Sequence, residues 1–199
     1  MAGVIRLPKV RKKGPASLEE TLNERRSVRE YAAGPLRLDE VSQLLWAASG
    51  INLYRRTAPS AGATYPLETY LVAGEVEGLA PALYRYMSSG HSLETALDGD
   101  IRRRLSRAAL GQGMVSSAPV DIIIAADYAR TAARYGQRAA RYVHMEAGHA
   151  GQNVSLQAIA LGLGSVMVGA FDDGGVRELL GIREEPLYII PVGRVKGSA

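Results

Sequence analysis

Apolar residues are spaced with a helical period in some segments of the chain and as strand-like runs in others. Between Asp39 and Gly50 apolar residues recur every three or four positions, which predicts an amphipathic helix capped by Asp39. Positions 120–126 (VDIIIAA) are apolar apart from Asp121, which is typical of a strand covered on both faces. The Ala-rich segment 138–163 predicts one long helix, and its repeated small residues would let another helix approach closely.

Capping and turn signals predict the remaining elements. Ser17 and Glu20 form a capping-box pattern, which predicts a short helix ending near Arg26. The other predicted strands span 68–73, 82–87, 166–171 and 187–192, and further helices span 100–110 and 174–180. This order predicts an α+β sandwich, in which helices flank a mixed central β-sheet. We expect an N-terminal arm over residues 1–16 and a single domain over residues 17–199.

The composition limits the chemistry that side chains could perform unaided. The 199 residues include no cysteine and three histidines, which excludes a disulfide framework, a thiolate nucleophile and a cysteine-ligated cluster. An enzyme with this repertoire would depend on a bound cofactor. No apolar segment reaches the ~18 residues of a membrane span, and the N-terminus has no secretory pattern. We therefore expect a cytoplasmic protein without a membrane partner.

The chain is basic, with a net charge of +4 and an isoelectric point near 9.4. Arginine supplies 20 of the 24 basic residues, and its planar guanidinium suits phosphate and carboxylate groups. The cluster at 102–107 has the spacing of one solvated helix face, and no aromatic-rich basic stripe accompanies it. We therefore expect no nucleic-acid partner.

Two segments have the composition of a ligand site. Arg25, Arg26, Ser27 and Arg29 place three guanidinium groups and a hydroxyl at the predicted end of the first helix, where they could bind a phosphate. A solvated basic helix end is the alternative. Residues 58–63 are small, so the backbone of this loop could approach a flat ligand, although an ordinary connector would have the same composition.

The long predicted helix carries a polar stripe. Glu146, His149, Gln152 and Asn153 share one helix face, and buried polar groups need partners. A hydrogen-bond network between helices and a set of ligand contacts would both satisfy that need. A metal site at Glu146 and His149 lacks a third ligand at suitable spacing, so we expect no metal.

Seven short motifs follow one another in a characteristic order and spacing. They are RRSVREY at 25–31, LLWAASGI at 44–51, APSAGATYPLE at 58–68, GHAGQN at 148–153, LGLG at 161–164, GAFDD at 169–173 and PVGR at 191–194. With these motifs the chain resembles the flavin-dependent nitroreductase superfamily, and within it the SagB-type dehydrogenase subgroup. The resemblance extends from Leu18 to Arg194.

The resemblance implies a nitroreductase-like α+β fold that binds FMN at the interface of an intertwined homodimer. It also implies two-electron transfer, with NAD(P)H or an organic substrate as reductant. The cofactor-binding residues that it implies are Arg25, Arg26, Ser27, Arg29 and Arg194 near the phosphate, Pro59, Ser60, Ala61 and Gly62 on one side of the ring, Val168, Gly169 and Ala170 on the other, and Gln152 and Asn153 on the long helix.

One pair of residues departs from the SagB-type pattern. Azoline oxidases of that subgroup use a catalytic Lys-Tyr pair, and the matching residues here are Arg134 and Tyr135. Tyr135 keeps a phenol that can relay a proton, whereas the guanidinium of Arg134 is a poor general base and could orient an anionic substrate. Both are candidate catalytic residues. The alternatives to an FMN-dependent oxidoreductase are a non-catalytic flavin-binding partner subunit and an azoline-type peptide dehydrogenase.

Overall fold

The computed structural model describes residues 3–197, so the outermost two residues of the predicted arm and of the predicted domain lie outside it. The strands are β1 (Val4–Arg6), β2 (Leu67–Ala73), β3 (Ala82–Met87), β4 (Ser92–Asp98), β5 (Val120–Ala126), β6 (Leu163–Ser165) and β7 (Glu185–Arg194). They form one sheet in the order β1-β4-β3-β2-β5-β7-β6.

Along the chain, the helices lie between the first strand, β1, and the last strand, β7. The α-helices within residues 3–197 are α1 (Leu18–Glu24), α2 (Leu38–Ser49), α3 (Arg102–Ala108), α4 (Gly113–Ser117), α5 (Tyr128–Tyr135), α6 (Ala139–Ala160) and α7 (Asp173–Leu180). Short 3-10 turns occur at Ala61–Ala63 and Gly136–Arg138. None of these helices is long and apolar enough to cross a bilayer.

The sheet separates two apolar cores. Helices α2 and α6 cover one face, where Leu45 packs with Ile122 of β5. Helices α3, α4 and α7 cover the other face, where Leu105 packs with Ile123 of β5. Successive residues of β5 point to opposite faces and are fully buried, which explains why positions 120–126 are apolar apart from Asp121. The layers confirm the predicted α+β fold with helices on both sides of the sheet.

The sheet differs from the predicted mixed sheet, because each ladder between the named strands is antiparallel. Short connections join β2, β3 and β4, and a short connection can only reverse the direction of the next strand. Parallel pairing is limited to isolated bridges, among them Ser27 with Ser165.

Several element boundaries differ from the sequence-based predictions. The strand predicted at 166–171 is not formed; β6 lies just before it, and Val168 makes a single bridge to Ile189. The predicted cap Asp39 is already inside α2. Arg37 is the N-cap residue, and its backbone N–H donates to the Glu40 carboxylate at 2.8 Å. Elements β1, β4, α4 and α5 were not predicted, because they are short or lack a long apolar period.

The N-terminal segment over residues 3–16 packs against the domain. Strand β1 pairs with β4, and Leu7 is buried. The carbonyl of Pro8 accepts a hydrogen bond from the Ser42 hydroxyl at 2.7 Å and lies 3.0 Å from Nε2 of His91. This segment therefore forms part of the described fold. Its separation from the following domain stays a prediction.

Candidate functional site

The arginine-rich segment after α1 is seated on the edge of the sheet. Ser27 bridges Ser165 of β6, and the Val28 N–H donates to the Ser165 carbonyl at 2.9 Å. The Val28 side chain is buried against Gly164. A Cβ at Gly164 would lie 2.7 Å from Val28 Cβ, so the segment can approach β6 this closely because residue 164 is glycine. The LGLG motif thus positions the RRSVREY motif.

Tyr31 provides a second anchor for the same segment. Its hydroxyl donates to the carbonyls of Val28 at 2.9 Å and Pro191 at 3.1 Å. Burial raises the pKa of Tyr31, so the phenol remains protonated and can act as the donor. A Cβ at Gly193 would lie 2.7 Å from the Tyr31 ring. Tyr31 and Gly193 belong to the motifs at 25–31 and 191–194, but their positioning role depends on a contact that local sequence does not show.

Three guanidinium groups in this segment have no internal partner. Within residues 3–197, the side chains of Arg25, Arg26 and Arg29 form no hydrogen bond or ion pair. Arg25 caps α1 and is half-buried. A surface cleft of about 260 Å³ is lined by Arg26, Ser27, Val28, Arg29, Glu30, Val195 and Lys196. Unpaired arginines beside a hydroxyl can bind a phosphate without breaking an existing ion pair.

Arg194, unlike the three unpaired arginines, forms an ion pair within the fold. Its Nη2 lies 3.1 Å from Oε2 of Glu40, whose carboxylate is buried. Glu40 also accepts a hydrogen bond from the Arg37 backbone. The ion pair joins the end of β7 to the start of α2 and neutralises much of the Arg194 charge. The phosphate role of Arg194 stays a prediction.

The predicted ring-binding residues 168–170 continue from the same sheet edge. Residue Val168 exchanges backbone hydrogen bonds with Ile189 of β7, at 2.9 and 3.0 Å. Because Ser165 pairs with β7 three residues earlier, the chain between them is extended and spans about 10 Å. Gly169 and Ala170 follow and are exposed. The arginine-rich segment and this flat backbone shelf (168–170) therefore lie along one edge.

The other predicted ring-binding residues, Pro59–Gly62, lie against α5. Gly62 has a φ of +57°, a left-handed conformation that favours glycine. Its carbonyl accepts a hydrogen bond from Nη1 of Arg134 at 3.1 Å. A Cβ at Gly62 would lie 2.5 Å from the Tyr135 hydroxyl. The structure thus brings both catalytic candidates into direct contact with this loop.

Glu146 of α6 supports the loop from behind. The residue is 5% exposed; desolvation raises the pKa of its carboxyl, while a hydrogen bond from the Ser60 side chain and the charge of Arg56 act in the opposite direction. The Ser60 hydroxyl in turn accepts the Tyr65 N–H at 2.9 Å. Glu146 belongs to the polar stripe predicted from the sequence, but its contact with the loop is visible only in the tertiary structure.

Helix α6 separates the loop from the arginine-rich segment. Glu146 contacts Ser60, whereas the Ser155 hydroxyl lies 3.4 Å from the Ser165 hydroxyl. Nine residues of α-helix correspond to about 14 Å along the axis and about two and a half turns, so these contacts are on opposite faces. Gln152 lies one turn before Ser155 on the same side.

Asn153 of the predicted polar stripe has a contact within the fold. Its Nδ2 donates to the Ala47 carbonyl of α2 at 3.1 Å. This hydrogen bond joins α6 to α2, while its cofactor contact stays a prediction. No group of three or more potential metal ligands is arranged around a common point within residues 3–197.

Comparison with known proteins identifies relatives over nearly the whole chain. The model of the Nitroreductase family matches residues 22–194. A Methanocaldococcus jannaschii protein, provisionally named a nitroreductase, is 51% identical over 179 residues, which are 89% of this chain and 90% of the relative.

Solved structures show the same fold. A provisionally named nitroreductase from Ralstonia eutropha superposes with a TM-score of 0.84 at 32% identity, over 98% of this chain and 90% of the other. Another from Anabaena variabilis superposes with a TM-score of 0.81 at 34% identity, over 90% of this chain but 38% of that longer chain. The match over residues 22–194, together with the 51% identical relative, shows that the chain belongs to the nitroreductase family, a class of oxidoreductases.

Proposed function

We propose that the protein is an FMN-dependent oxidoreductase that transfers two electrons between a reductant, such as NAD(P)H or an organic substrate, and an acceptor. The observation that carries this proposal is the alignment of unpaired arginines with an exposed backbone shelf along one sheet edge. FMN carries a phosphate on a short chain attached to a flat ring, so its site must offer positive charge to the phosphate and an open backbone surface to the ring. The residues present therefore fit FMN.

Each part of the edge would bind a different part of the cofactor. Arg26, Ser27 and Arg29, with Arg25 at the helix end, would bind the phosphate. Residues 168–170 would lie along the ring, because Gly169 and Ala170 have no large side chain to hold it away. Bound FMN would supply the redox centre that this cysteine-free chain lacks.

A homodimer would complete the site. The loop Pro59–Gly62 contacts one face of α6 through Ser60, whereas Ser165 of β6, which bridges Ser27, contacts the opposite face about 14 Å away along the helix axis. Because α6 lies between them, we expect that the loop and the sheet edge of one chain do not enclose the same cofactor. A second copy could supply the loop, together with Arg134 and Tyr135, to the edge formed by the first chain. This separation is the physical argument for a dimeric site.

Tyr135 is the residue that we assign to proton transfer. Its hydroxyl lies beside Gly62, so a substrate held over the loop would be within reach of the phenol. Arg134 donates to the Gly62 carbonyl at 3.1 Å and would fix the loop and orient the substrate. A phenol can donate and accept a proton in turn, whereas a guanidinium stays charged.

The SagB-type assignment and its azoline-peptide variant are narrower proposals. The motifs at 25–31 and 58–68 favour that subgroup, whereas Arg134 in place of the lysine weakens the case for a general base. A flavin-binding partner subunit without turnover is the other candidate function. The contact of Arg134 and Tyr135 with the loop favours an active enzyme over this alternative.

The test uses the purified full-length protein. We expect the visible absorption of oxidised flavin, release of FMN on denaturation and a dimer in light scattering. NADH or NADPH consumption with a quinone acceptor would distinguish an enzyme from a binding subunit. A protein that remains colourless after reconstitution with FMN contradicts the proposal. A flavin-loaded protein that oxidises no reductant and no azoline peptide supports the partner-subunit alternative.

A further inference from the structure

The corner between α5 and α6 has an unusual distribution of charge. Residues 128–145 include four arginines and no aspartate or glutamate. Arg130 is paired outside this stretch, with Glu68 at 2.7 Å and Asp127 at 3.3 Å. Within residues 3–197, Arg134 and Arg138 have no carboxylate partner. Arg141 is also exposed and forms no ion pair in the described part of the chain, so three positive charges remain unbalanced on this corner, and two of them, Arg134 and Arg138, contact tyrosine rings.

These two arginines are held by two tyrosines. The guanidinium carbon of Arg134 lies 5.6 Å from the Tyr135 ring centre. The rings of Tyr135 and Tyr142 meet edge to face, with centres 4.9 Å apart. Arg138 lies 5.7 Å from the Tyr142 ring centre, and its Nε is 3.2 Å from the Tyr142 hydroxyl. We call Arg134, Tyr135, Tyr142 and Arg138 the Arg–Tyr ladder.

The ladder keeps both guanidinium groups ready to bind an anion. A guanidinium stacked on an aromatic ring loses less side-chain entropy when it binds, because its orientation is already restricted. Stacking uses the flat face of the group and leaves N–H donors at its edge. Arg134 uses one Nη1 donor for the Gly62 carbonyl, and Arg138 uses Nε for Tyr142. The remaining donors of both groups are available.

The ladder is continuous with the loop of the proposed active site. Both Arg134 and Tyr135 approach Gly62, so Arg138 is two ring contacts away from the loop. We propose that the Arg–Tyr ladder is a specificity element that selects substrates bearing a phosphate, sulfonate or carboxylate group. This inference rests on the proposed oxidoreductase function and specifies its substrate class. The anionic group could belong to the electron acceptor or to the extra phosphate of NADPH.

The test compares substrates that differ in charge. One arm compares 1,2-naphthoquinone-4-sulfonate with uncharged menadione at a fixed reductant concentration. The other arm compares NADPH with NADH, with menadione as acceptor. In each arm we take the ratio of kcat/KM for the more anionic substrate to kcat/KM for the less charged one. We expect Arg138→Gln to lower this ratio about fivefold in at least one arm, because the variant loses one exposed charge contact. The arm that changes identifies the source of the anion.

Arg107→Gln is the matched control. Arg107 is an exposed arginine of α3, on the other side of the sheet, so its removal should leave both ratios as in the wild type. Raising the ionic strength should also reduce the wild-type preference, because salt screens exposed charges. Equilibrium binding of the sulfonate, followed by quenching of protein fluorescence, should weaken in Arg138→Gln and not in Arg107→Gln.

The outcomes separate this inference from the proposed function. A wild type that binds no flavin refutes the proposed function and the inference with it. A flavin-loaded enzyme whose two ratios and sulfonate affinity are unchanged by Arg138→Gln refutes the inference alone. Equal losses with Arg107→Gln also refute it, because they would show a general effect of net charge.

Discussion

Replacement of Gly164 by Ala tests how strongly the arginine-rich segment depends on its close approach to β6. The added Cβ would lie 2.7 Å from Val28 Cβ and Cγ2 and 2.8 Å from Cγ1. Carbon atoms in ordinary contact are about 3.5 Å apart or more, so Val28 would have to move by roughly 0.8 Å. The backbone resists this shift, because the Val28 N–H is bonded to the Ser165 carbonyl at 2.9 Å and Gly164 pairs with Gly193 in β7.

The expected effect has a stability part and a binding part. Overpacking of this kind lowers the free energy of unfolding by about 1–3 kcal/mol. For a chain of this length, each kcal/mol lowers Tm by about 2–4 °C, so we expect a decrease of about 2–12 °C. If the shift misaligns one charged hydrogen bond to the phosphate, FMN affinity falls by about 1.5–3 kcal/mol, at least tenfold in Kd. Calorimetry and quenching of flavin fluorescence measure the two parts.

Gly148→Ala is the control for the loss of a glycine. Gly148 lies within α6, and no atom lies within 4 Å of an added Cβ there. Alanine is favoured over glycine inside a helix by about 1 kcal/mol, so this variant should be slightly more stable and should bind FMN as the wild type does. Equal stability and FMN affinity of Gly164→Ala and wild type would contradict the positioning role of Gly164.

Three further predictions concern binding, proton transfer and pH. Arg25→Ala and Arg29→Ala should each weaken FMN binding by about 1.5–3 kcal/mol in a fluorescence titration, because each removes a charged donor. Tyr135→Phe should keep its flavin content but slow steady-state turnover, because the phenol proton is lost. Asp121 is fully buried, with neither carboxylate oxygen hydrogen-bonded within residues 3–197, and this burial raises its pKa well above the ordinary value. The folded protein then keeps a proton that the unfolded chain releases above about pH 4. The free energy of unfolding therefore falls as the pH rises above this value. Asp121→Asn should flatten this dependence of the free energy of unfolding on pH, as measured by urea denaturation.

Each of these predictions can fail separately. Unchanged FMN affinity in both arginine variants would remove those residues from the phosphate site. Wild-type turnover in Tyr135→Phe would exclude the phenol from proton transfer. Identical pH slopes for Asp121→Asn and the wild type would show that Asp121 does not change its protonation on unfolding.

Features that depend on local pattern could be predicted from the amino-acid sequence. The predicted spans 82–87 and 120–126 coincide with β3 and β5, because each is a compact β-branched or aromatic run with clear ends. The capping box at Ser17 is formed, with the Glu20 N–H donating to the Ser17 hydroxyl at 3.1 Å. The family could also be recognised, because its motifs are short and contiguous and keep their order along the chain.

Local sequence pattern was insufficient to predict which charged residues are paired and buried in the fold. Arg102, predicted on a solvated face, is buried, and its guanidinium lies 2.7 Å from Asp100 and 3.1 Å from Glu75. Arg194 is likewise paired with Glu40, 154 residues away. Sequence spacing shows that a guanidinium is present but not whether a distant carboxylate will neutralise it, because that depends on which elements become neighbours.

The tertiary structure alone decided how the candidate site is divided. Gly62, Arg134 and Tyr135 form one group, although Gly62 lies more than seventy positions before the other two in the sequence. The arginine-rich segment and the 168–170 shelf form another group along the sheet edge. Helix α6 lies between the two groups because its buried faces pack against different neighbours. Periodicity predicted this helix, but the partners of each face depend on contacts between residues far apart in the chain.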